Sequence, residues 1–328
     1  DLYREHPDWA FTIPGRKPVR ARYQLVLDYS RKEVVDGIFT QIAKVLDETK
    51  ADYVKMDMNR HLTDVWSKTA GEQNQGAILH RYMLGVYDFL ERLHERYPAL
   101  LIEGCSGGGG RFDAGMLYYT PQIWCSDNTD AIERVKIQYG TSFAYPSCTV
   151  GSHVSAVPNH QTGRTTELAT RAAVAMAGSF GYELDLNLLT EEEKEQVRAQ
   201  IKNYHRFEML IRQGRYYRLT DVWQKKEYAA WEYCRPDGSE ALVTVVTLDT
   251  QCNPATEYVK LRGLGEDKKY RVEVVGMQTG GENGQRINGT PNSVEPEYYT
   301  GAQLVHAGLP VPRLGNEYKA WQVYVKEV

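Results

Sequence analysis

The feature that most restricts the fold of this 328-residue chain is an alternation of short β-like runs with helical segments between residues 22 and about 214. Strands that alternate with helices form a parallel sheet, because each helix returns the chain to the end at which the next strand starts. The predicted strands are residues 23–28, 53–57, 100–103, 122–126, 148–150 and 180–184. The sequence therefore predicts an α/β fold of about six strand–helix units.

The helical segments carry apolar residues at the spacing of one helix face. The first predicted helix follows Ser30, a suitable N-cap residue, and ends before the second strand. A long second helix is predicted over 75–96 and ends before Pro98. Three further helices are predicted around residues 132–139, 167–176 and 190–213. Thr190 and Glu193 have the spacing of a capping box at the start of the last helix.

Two α/β architectures fit this pattern, a doubly wound open sheet and a (β/α)8 barrel, or TIM barrel. Polar residues follow the strands at Asp57, Cys105 and Asp127, and both folds place their sites at this edge. No dinucleotide or phosphate motif opens a helix, which favours the barrel. Six units instead of eight, together with a start at Asp1 without Met, indicate an incomplete barrel that lacks two N-terminal units.

The character of the chain changes after Gly214. Short alternating runs broken by Gly, Pro and Asn continue to the C-terminus, as is typical of antiparallel sheets. We therefore predict two domains, a partial (β/α)8 catalytic barrel over residues 1–216 and an antiparallel β-sandwich over residues 217–328.

Charge and cysteine content exclude several classes of protein. A net charge of -4 without a basic cluster argues against a nucleic-acid partner, and no apolar run is long enough to span a membrane. The 5 cysteines lack CxxC spacing, which indicates free thiols in a reducing compartment and hence a cytoplasmic protein.

Two carboxylates follow predicted strands. Asp57 lies two residues after Lys55 and so on the same strand face, where a cation would keep it ionised; a salt bridge that merely closes the strand end is the alternative. Asp127 follows another strand, and its alternative role is helix capping, although Asp130 suits that role better. A pair of carboxylates at one edge of a barrel, one ionised and one able to donate a proton, is the requirement of glycoside hydrolysis.

That mechanism needs no metal and no cofactor. His153 and His160 are seven positions apart but have no third ligand at metal-binding spacing, so we do not expect a metal site.

Five motifs in order resemble glycoside hydrolase family 36, the family of large microbial α-galactosidases and related raffinose-processing enzymes. They are Arg22 to Asp28, Lys55 to Arg60, Cys105 to Gly110, Cys125 to Asp130, and His153 to Ala156 with Pro158 to His160. The resemblance covers residues 6–214, and it implies a retaining hydrolase that removes terminal α-linked galactose from oligosaccharides such as raffinose and melibiose.

By this resemblance Asp57 is the nucleophile and Asp127 the general acid/base. Positions that contact the galactosyl ring are matched by Arg22, Lys55, Asn59, Cys105, Gly107 and Gly108. The family's N-terminal β domain and first barrel strands, which supply a Trp and an acidic pair that hold galactose, have no counterpart here. The resemblance also implies a homo-oligomer, a tetramer, for the full-length enzyme.

Three alternatives remain open at this point. The same scaffold serves an α-galactosyl transferase and an α-N-acetylgalactosaminidase, and the space around Cys105, near the sugar 2-position, separates the latter from a galactosidase. A chain that lacks part of its barrel is alternatively a non-catalytic sugar-binding fragment, or an inert one, because missing strands leave sheet edges unpaired.

Overall fold

The computed structural model describes residues 1–252, 255–275, 297–311 and 317–328, which form two compact units, Asp1–Cys125 and Ser126–Val328. The first unit contains helices α1 (Leu2–Glu5), α2 (Lys32–Thr49), α3 (Ile78–Arg96) and α4 (Ala114–Tyr119), a 3-10 helix (Glu72–Ala77), and strands β1 (Tyr53–Asp57), β2 (Leu101–Cys105) and β3 (Gln122–Trp124). The strands are parallel, and β2 lies between β1 and β3.

The pleat of these strands separates an apolar face from a polar one, because successive side chains point to opposite faces of a sheet. On the apolar face, Ile102 and Ile123 pack against the buried side of α3. That side is formed by the residues expected from the helical period, namely Ile78, Tyr82, Val86, Phe89, Leu90 and Leu93. The opposite face carries polar residues and holds most of the candidate site.

The second unit begins with three helices and two strands in alternation. They are α5 (Ala131–Thr141), β4 (Val150–Ser155), α6 (Leu168–Ala175), β5 (Ser179–Glu183) and α7 (Glu191–Gln213). Strands β4 and β5 are parallel, with His153 opposite Gly181. The predicted capping box at the start of α7 is confirmed, since Thr190 accepts from the Glu193 amide and Glu193 bonds back to the Thr190 amide.

Antiparallel strands form the rest of the second unit. The six-stranded sheet has the order β11-β10-β13-β8-β7-β6. Its strands are β6 (Arg215–Arg218), β7 (Tyr228–Cys234), β8 (Glu240–Thr247), β10 (Lys269–Val275), β11 (Glu297–Thr300) and β13 (Ala320–Glu327). The short strands β9 (Tyr258–Val259) and β12 (Leu309–Pro310) pair in a second sheet.

The central strands β7, β8 and β13 of the six-stranded sheet are buried on both faces for most of their length. On one face Trp231 and Leu242 pack with Phe207 and Ile211 of α7. On the other face the sheet packs on residues that include Leu261, Leu304 and Leu309, which come from around the small sheet. Burial on both sides explains why β8 and β13 are nearly continuous apolar runs instead of alternating ones.

One predicted strand is wrong. Residues 23–28 are not a strand of the parallel sheet, so the described part of the chain has five parallel strands instead of about six. The hydrogen bonds of this segment go elsewhere, from the Phe11 amide to the Val26 carbonyl and from the Asp28 amide to the Trp9 carbonyl. The first long helix also begins one residue later than Ser30 indicates, with Arg31 as its N-cap.

In the ranges that the structure describes, none of the helices combines the length and the apolar character needed to cross a membrane.

A carboxyl group lies inside the core between the six-stranded sheet and the small sheet. Glu232 on β7 is fully buried, and its Oε2 accepts a hydrogen bond from the Arg262 amide at 2.8 Å. No described residue donates a hydrogen bond to its other oxygen, Oε1. Burial raises the pKa of Glu232 to about 8, against the opposing effect of the Arg262 amide and charge. The side chain is therefore a neutral acid at pH 7.

We predict that Glu232→Gln removes a pH-dependent contribution to stability. The raised pKa of the folded state stabilises the parent fully below pH 4.5, and this contribution is lost as the pH rises toward 8. It amounts to at most about 5 kcal/mol. The free energy of unfolding in urea, measured at pH 5, 7 and 9, should therefore fall less steeply with pH in the variant. Glu192→Gln, the same change on the surface of α7, should keep the parent's pH dependence, and equal slopes in all three proteins would contradict the prediction.

Candidate active site

The candidate nucleophile lies at the end of β1 and is held by a short chain of hydrogen bonds. Asp57 is exposed, and its Oδ2 accepts from the side-chain amide of Asn59. The other end of that amide, Oδ1, accepts from the backbone N–H of Gly107 at 2.7 Å. Because Asn59 donates on one side and accepts on the other, its orientation is fixed, and it connects the carboxylate with the loop after β2.

Cys105 lies directly opposite Asp57 in the parallel register of β1 and β2. The residue is buried, and burial, with the neighbouring carboxylate of Asp57, raises the pKa of its thiol to about 11. The thiol is consequently protonated at neutral pH, so it is a weak hydrogen-bond donor and not a nucleophile.

The glycine run after Cys105 is required by the backbone. Gly107 and Gly108 have φ angles of 54° and 84°, in the left-handed region that favours glycine. Gly109 and Gly110 pass so close to other backbone atoms that a Cβ would lie 2.8 Å from the Cys125 carbonyl oxygen and 2.6 Å from that of Ser106, respectively. The loop therefore exposes main-chain groups next to Asn59.

Lys55 points to the same face of the sheet as Asp57, but its ion pair differs from the expected one. The structure shows its Nζ 3.5 Å from Oε1 of Glu103, its register partner on β2, and not in a salt bridge with Asp57. The ammonium group also lies 4.7 Å from the centre of the Trp124 ring. Lys55 is thus held between a carboxylate and an aromatic face, two favourable environments for a cation.

Glu103 was not among the predicted site residues, although it organises this face. Its carboxylate has no solvent exposure, and its Oε2 accepts from the Tyr53 hydroxyl and from Gln122 Nε2, the latter at 2.9 Å. The sequence signal for Glu103 was its position in the otherwise apolar run 100–103. A carboxylate buried in such a strand requires hydrogen-bond partners on neighbouring strands.

Arg22 lies in a tight turn of the first unit and is exposed. The turn closes with a hydrogen bond from the Gln24 amide to the Ala21 carbonyl at 3.0 Å. Buried Arg60, the last residue of the motif that contains Asp57, donates from Nε to the Gln24 carbonyl. The first unit therefore contains Arg22, Lys55, Asp57, Asn59, Cys105, Gly107 and Gly108.

Asp127 belongs to the second unit and is exposed. Its carbonyl oxygen accepts from Gln161 Nε2 at 3.2 Å. The nearby capping role falls to Asp130, as expected, because its Oδ1 accepts from the amides of Ile132 and Glu133 at the start of α5. Burial opposes ionisation of Asp130, yet hydrogen bonds from Thr162 and Arg164 lower its pKa. Asp127 thus keeps a carboxylate that capping does not use.

His153 forms a pair with Glu183, with 3.1 Å between Nδ1 and Oε2. Within the described ranges, no three His, Cys, Asp or Glu side chains are grouped as metal ligands.

Comparison with known families gives two matches. The Melibiase family model matches residues 1–214, and the model of the glycosyl hydrolase family 36 C-terminal domain matches residues 228–325. The first match ends at residue 214, directly before β6, and the second begins at residue 228, where β7 begins.

Several characterised proteins are similar to the whole chain. It is 55% identical over 328 residues to the bifunctional α-galactosidase/sucrose kinase AgaSK of Mediterraneibacter gnavus, and 48% identical to the α-galactosidase AgaA of Geobacillus stearothermophilus. It spans 32% and 42% of the lengths of these two relatives, respectively.

Solved structures agree with the predicted fold class. The galactosidase domain of AgaSK superposes with a TM-score of 0.88, and the chain covers 42% of it. A doubly substituted AgaA from G. stearothermophilus in complex with raffinose is 43% identical, with a TM-score of 0.90 and 43% of that chain covered. The prediction of an incomplete (β/α)8 barrel followed by an antiparallel β domain is thereby confirmed.

We predict that Glu103→Gln destabilises the first unit by about 2–3 kcal/mol, because it removes the charge that compensates Lys55 and disturbs a buried hydrogen-bond network. Tyr53→Phe removes a single donor to the same carboxylate and should cost about 1 kcal/mol. Urea unfolding of both variants and the parent measures the difference. Equal stability of Glu103→Gln and the parent would show that the carboxylate does not hold Lys55.

Proposed function

This chain belongs to glycoside hydrolase family 36, and from that premise we propose that it is part of a retaining α-galactosidase that hydrolyses terminal α-linked galactose from oligosaccharides such as raffinose and melibiose. The observation that carries the proposal is the chain of hydrogen bonds from Gly107 through Asn59 to Asp57. It orients a carboxylate at the C-terminal end of a parallel strand, where barrel enzymes have their active sites.

The proposed mechanism uses two carboxylates in turn. Asp57 attacks the anomeric carbon and forms a glycosyl-enzyme ester, while Asp127 donates a proton to the departing glycosidic oxygen. Asp127 then removes a proton from the water that hydrolyses the ester. Asn59 orients Asp57 for the attack, and we assign the protonated thiol of Cys105 and the amides of Gly107 and Gly108 to contacts with the galactosyl ring.

Lys55 and Arg22 complete the proposed sugar site as cationic hydrogen-bond donors. The ion pair with Glu103 supports this role for Lys55, since it holds the ammonium group on the same strand face as Asp57. No metal or cofactor has a role in this mechanism.

We further propose that the chain is part of a longer enzyme, since it spans about two fifths of AgaA. The proposed domains are the partial barrel over 1–216 and the β domain over 217–328, and the start of β6 at Arg215 supports a boundary here. A homo-tetramer is the proposed assembly of the complete enzyme. Five free cysteines support a cytoplasmic location.

The direct test is hydrolysis of p-nitrophenyl α-galactoside by the complete protein that carries this chain. The first sugar released should be α-galactose, as observed by NMR before mutarotation. Release of β-galactose would exclude retention, and the absence of turnover in the complete protein would contradict the proposed activity.

Replacement of the nucleophile gives a more specific prediction. Asp57→Ala in the complete protein should lower turnover by at least about 10⁴-fold, and added azide should restore it. Azide occupies the space left by the carboxylate and attacks the anomeric carbon from the same face, so the product is β-galactosyl azide. Asn59→Ala should be impaired but not rescued. Azide rescue that fails in Asp57→Ala, or that yields the α-azide, would contradict the assignment.

Replacement of the acid should depend on the leaving group. Asp127→Ala should lower kcat/KM for raffinose by about 10²–10⁴-fold, because the sugar alkoxide needs a proton to depart. A dinitrophenyl galactoside, whose leaving group needs no proton, should be affected much less in the first step. Asp130→Asn changes the neighbouring N-cap residue, and any loss of kcat/KM in this variant should be equal on the two substrates. Equal losses in Asp127→Ala would count against its role as the acid.

A further inference from the structure

The turn that carries Arg22 has an unusual backbone. Its two central residues, Arg22 and Tyr23, have φ angles of 51° and 59°. Positive φ at both central positions is the pattern of a type I′ turn, which strongly favours Asn and Gly. Two large side chains in this conformation are strained, and such strain persists where the surrounding structure enforces it and function makes use of it.

The surrounding structure does enforce the turn. Buried Arg60 donates hydrogen bonds to the carbonyls of Gln24 and Val19, at 3.1 Å and 2.7 Å. The amide of Val19 in turn donates to Oδ2 of Asp64 at 2.7 Å. Both ends of the turn are thus attached to the segment that follows Asp57, so the turn has a fixed position relative to the nucleophile's strand.

This rigid turn presents an aromatic ring to solvent. Tyr23 is 99% exposed, the largest exposure among the large apolar side chains of the described residues. A single exposed aromatic residue requires no explanation. Here, however, the ring is held by a strained turn, adjacent in sequence to Arg22, which we assign to the galactosyl ring. Flat aromatic faces bind the apolar C–H face of a pyranose, while the phenol hydroxyl remains available to sugar hydroxyls.

We propose that Tyr23 is a specificity-determining residue that stacks on the sugar next to the galactosyl unit, such as the glucosyl residue of raffinose, and that Arg60 is a positioning residue for this turn. This inference rests on the proposed function and adds a subsite for the leaving group. It predicts that the ring matters for oligosaccharides and not for galactosides with a minimal leaving group.

The test compares two substrates in the complete protein, raffinose and methyl α-galactoside. Tyr23→Asn removes the ring with a residue that suits the left-handed turn, so the backbone is retained. We expect kcat/KM for raffinose to fall about tenfold, the loss expected for one aromatic contact, and kcat/KM for methyl α-galactoside to change less than about twofold. Tyr23→Phe keeps the ring and should resemble the parent on both substrates.

Arg60→Lys provides the matched test of positioning. It keeps the charge but loses the planar guanidinium that donates to the carbonyls of Gln24 and Val19, so the whole turn, including Arg22, should be displaced. KM should rise for both substrates, since Arg22 binds the galactosyl ring common to them. A KM effect confined to raffinose, or none at all, would overturn the role assigned to Arg60.

Other outcomes overturn the subsite. An equal loss on both substrates in Tyr23→Asn, or no loss on raffinose, would mean that the ring does not contact the leaving-group sugar. A changed oligomeric state of Tyr23→Asn in size-exclusion chromatography would mean that protein covers the ring. A parent protein that hydrolyses neither substrate would refute the proposed function itself, a result distinct from any effect of Tyr23.

Discussion

The ion pair between Lys55 and Glu103 fixes the geometry on which the rest of the first unit depends. The two residues are register partners on adjacent parallel strands, and the carboxylate is fully buried. A shift of β1 by one residue would turn Lys55 toward the apolar core against α3 and leave a buried charge without compensation, which costs several kcal/mol. The pair therefore locks the register, and the register in turn places Asp57 opposite Cys105 at the end of both strands.

Local features of the sequence predicted most of the α/β part. The buried face of α3 and the bounds of β1 follow from the periodicity of apolar residues. The capping of α7 follows from two residues that are three positions apart. Such signals lie within a few residues of sequence. The segment 23–28 has the same apolar character as a strand, yet Val26 and Asp28 bond to Phe11 and Trp9 and not to a strand of the parallel sheet. The hydrogen-bond partner of a strand-like segment lies far away in sequence, so it cannot be predicted from the apolar pattern of that segment alone.

The same distinction applies to the candidate site. Asp57, Asn59 and Cys105 were predicted, and the structure places them together at the ends of β1 and β2. Glu103 and Arg60 were not predicted as positioning residues, because their importance lies in partners on other segments. In the C-terminal domain the apolar runs predicted strands, but they did not predict that α7 covers one face of the sheet and a two-stranded sheet covers part of the other.

The glycine run after Cys105 also determines where this scaffold tolerates change. At Gly109 and Gly110 any side chain would collide with main-chain carbonyls, which cannot move without displacing β3 or the loop itself. A library that randomises this loop would consist mostly of misfolded variants, whatever activity is sought. Changes of specificity are consequently accessible to directed evolution through side chains on other loops, while the main chain of this glycine run, whose Gly107 amide bonds to Asn59, stays the same in every folded descendant.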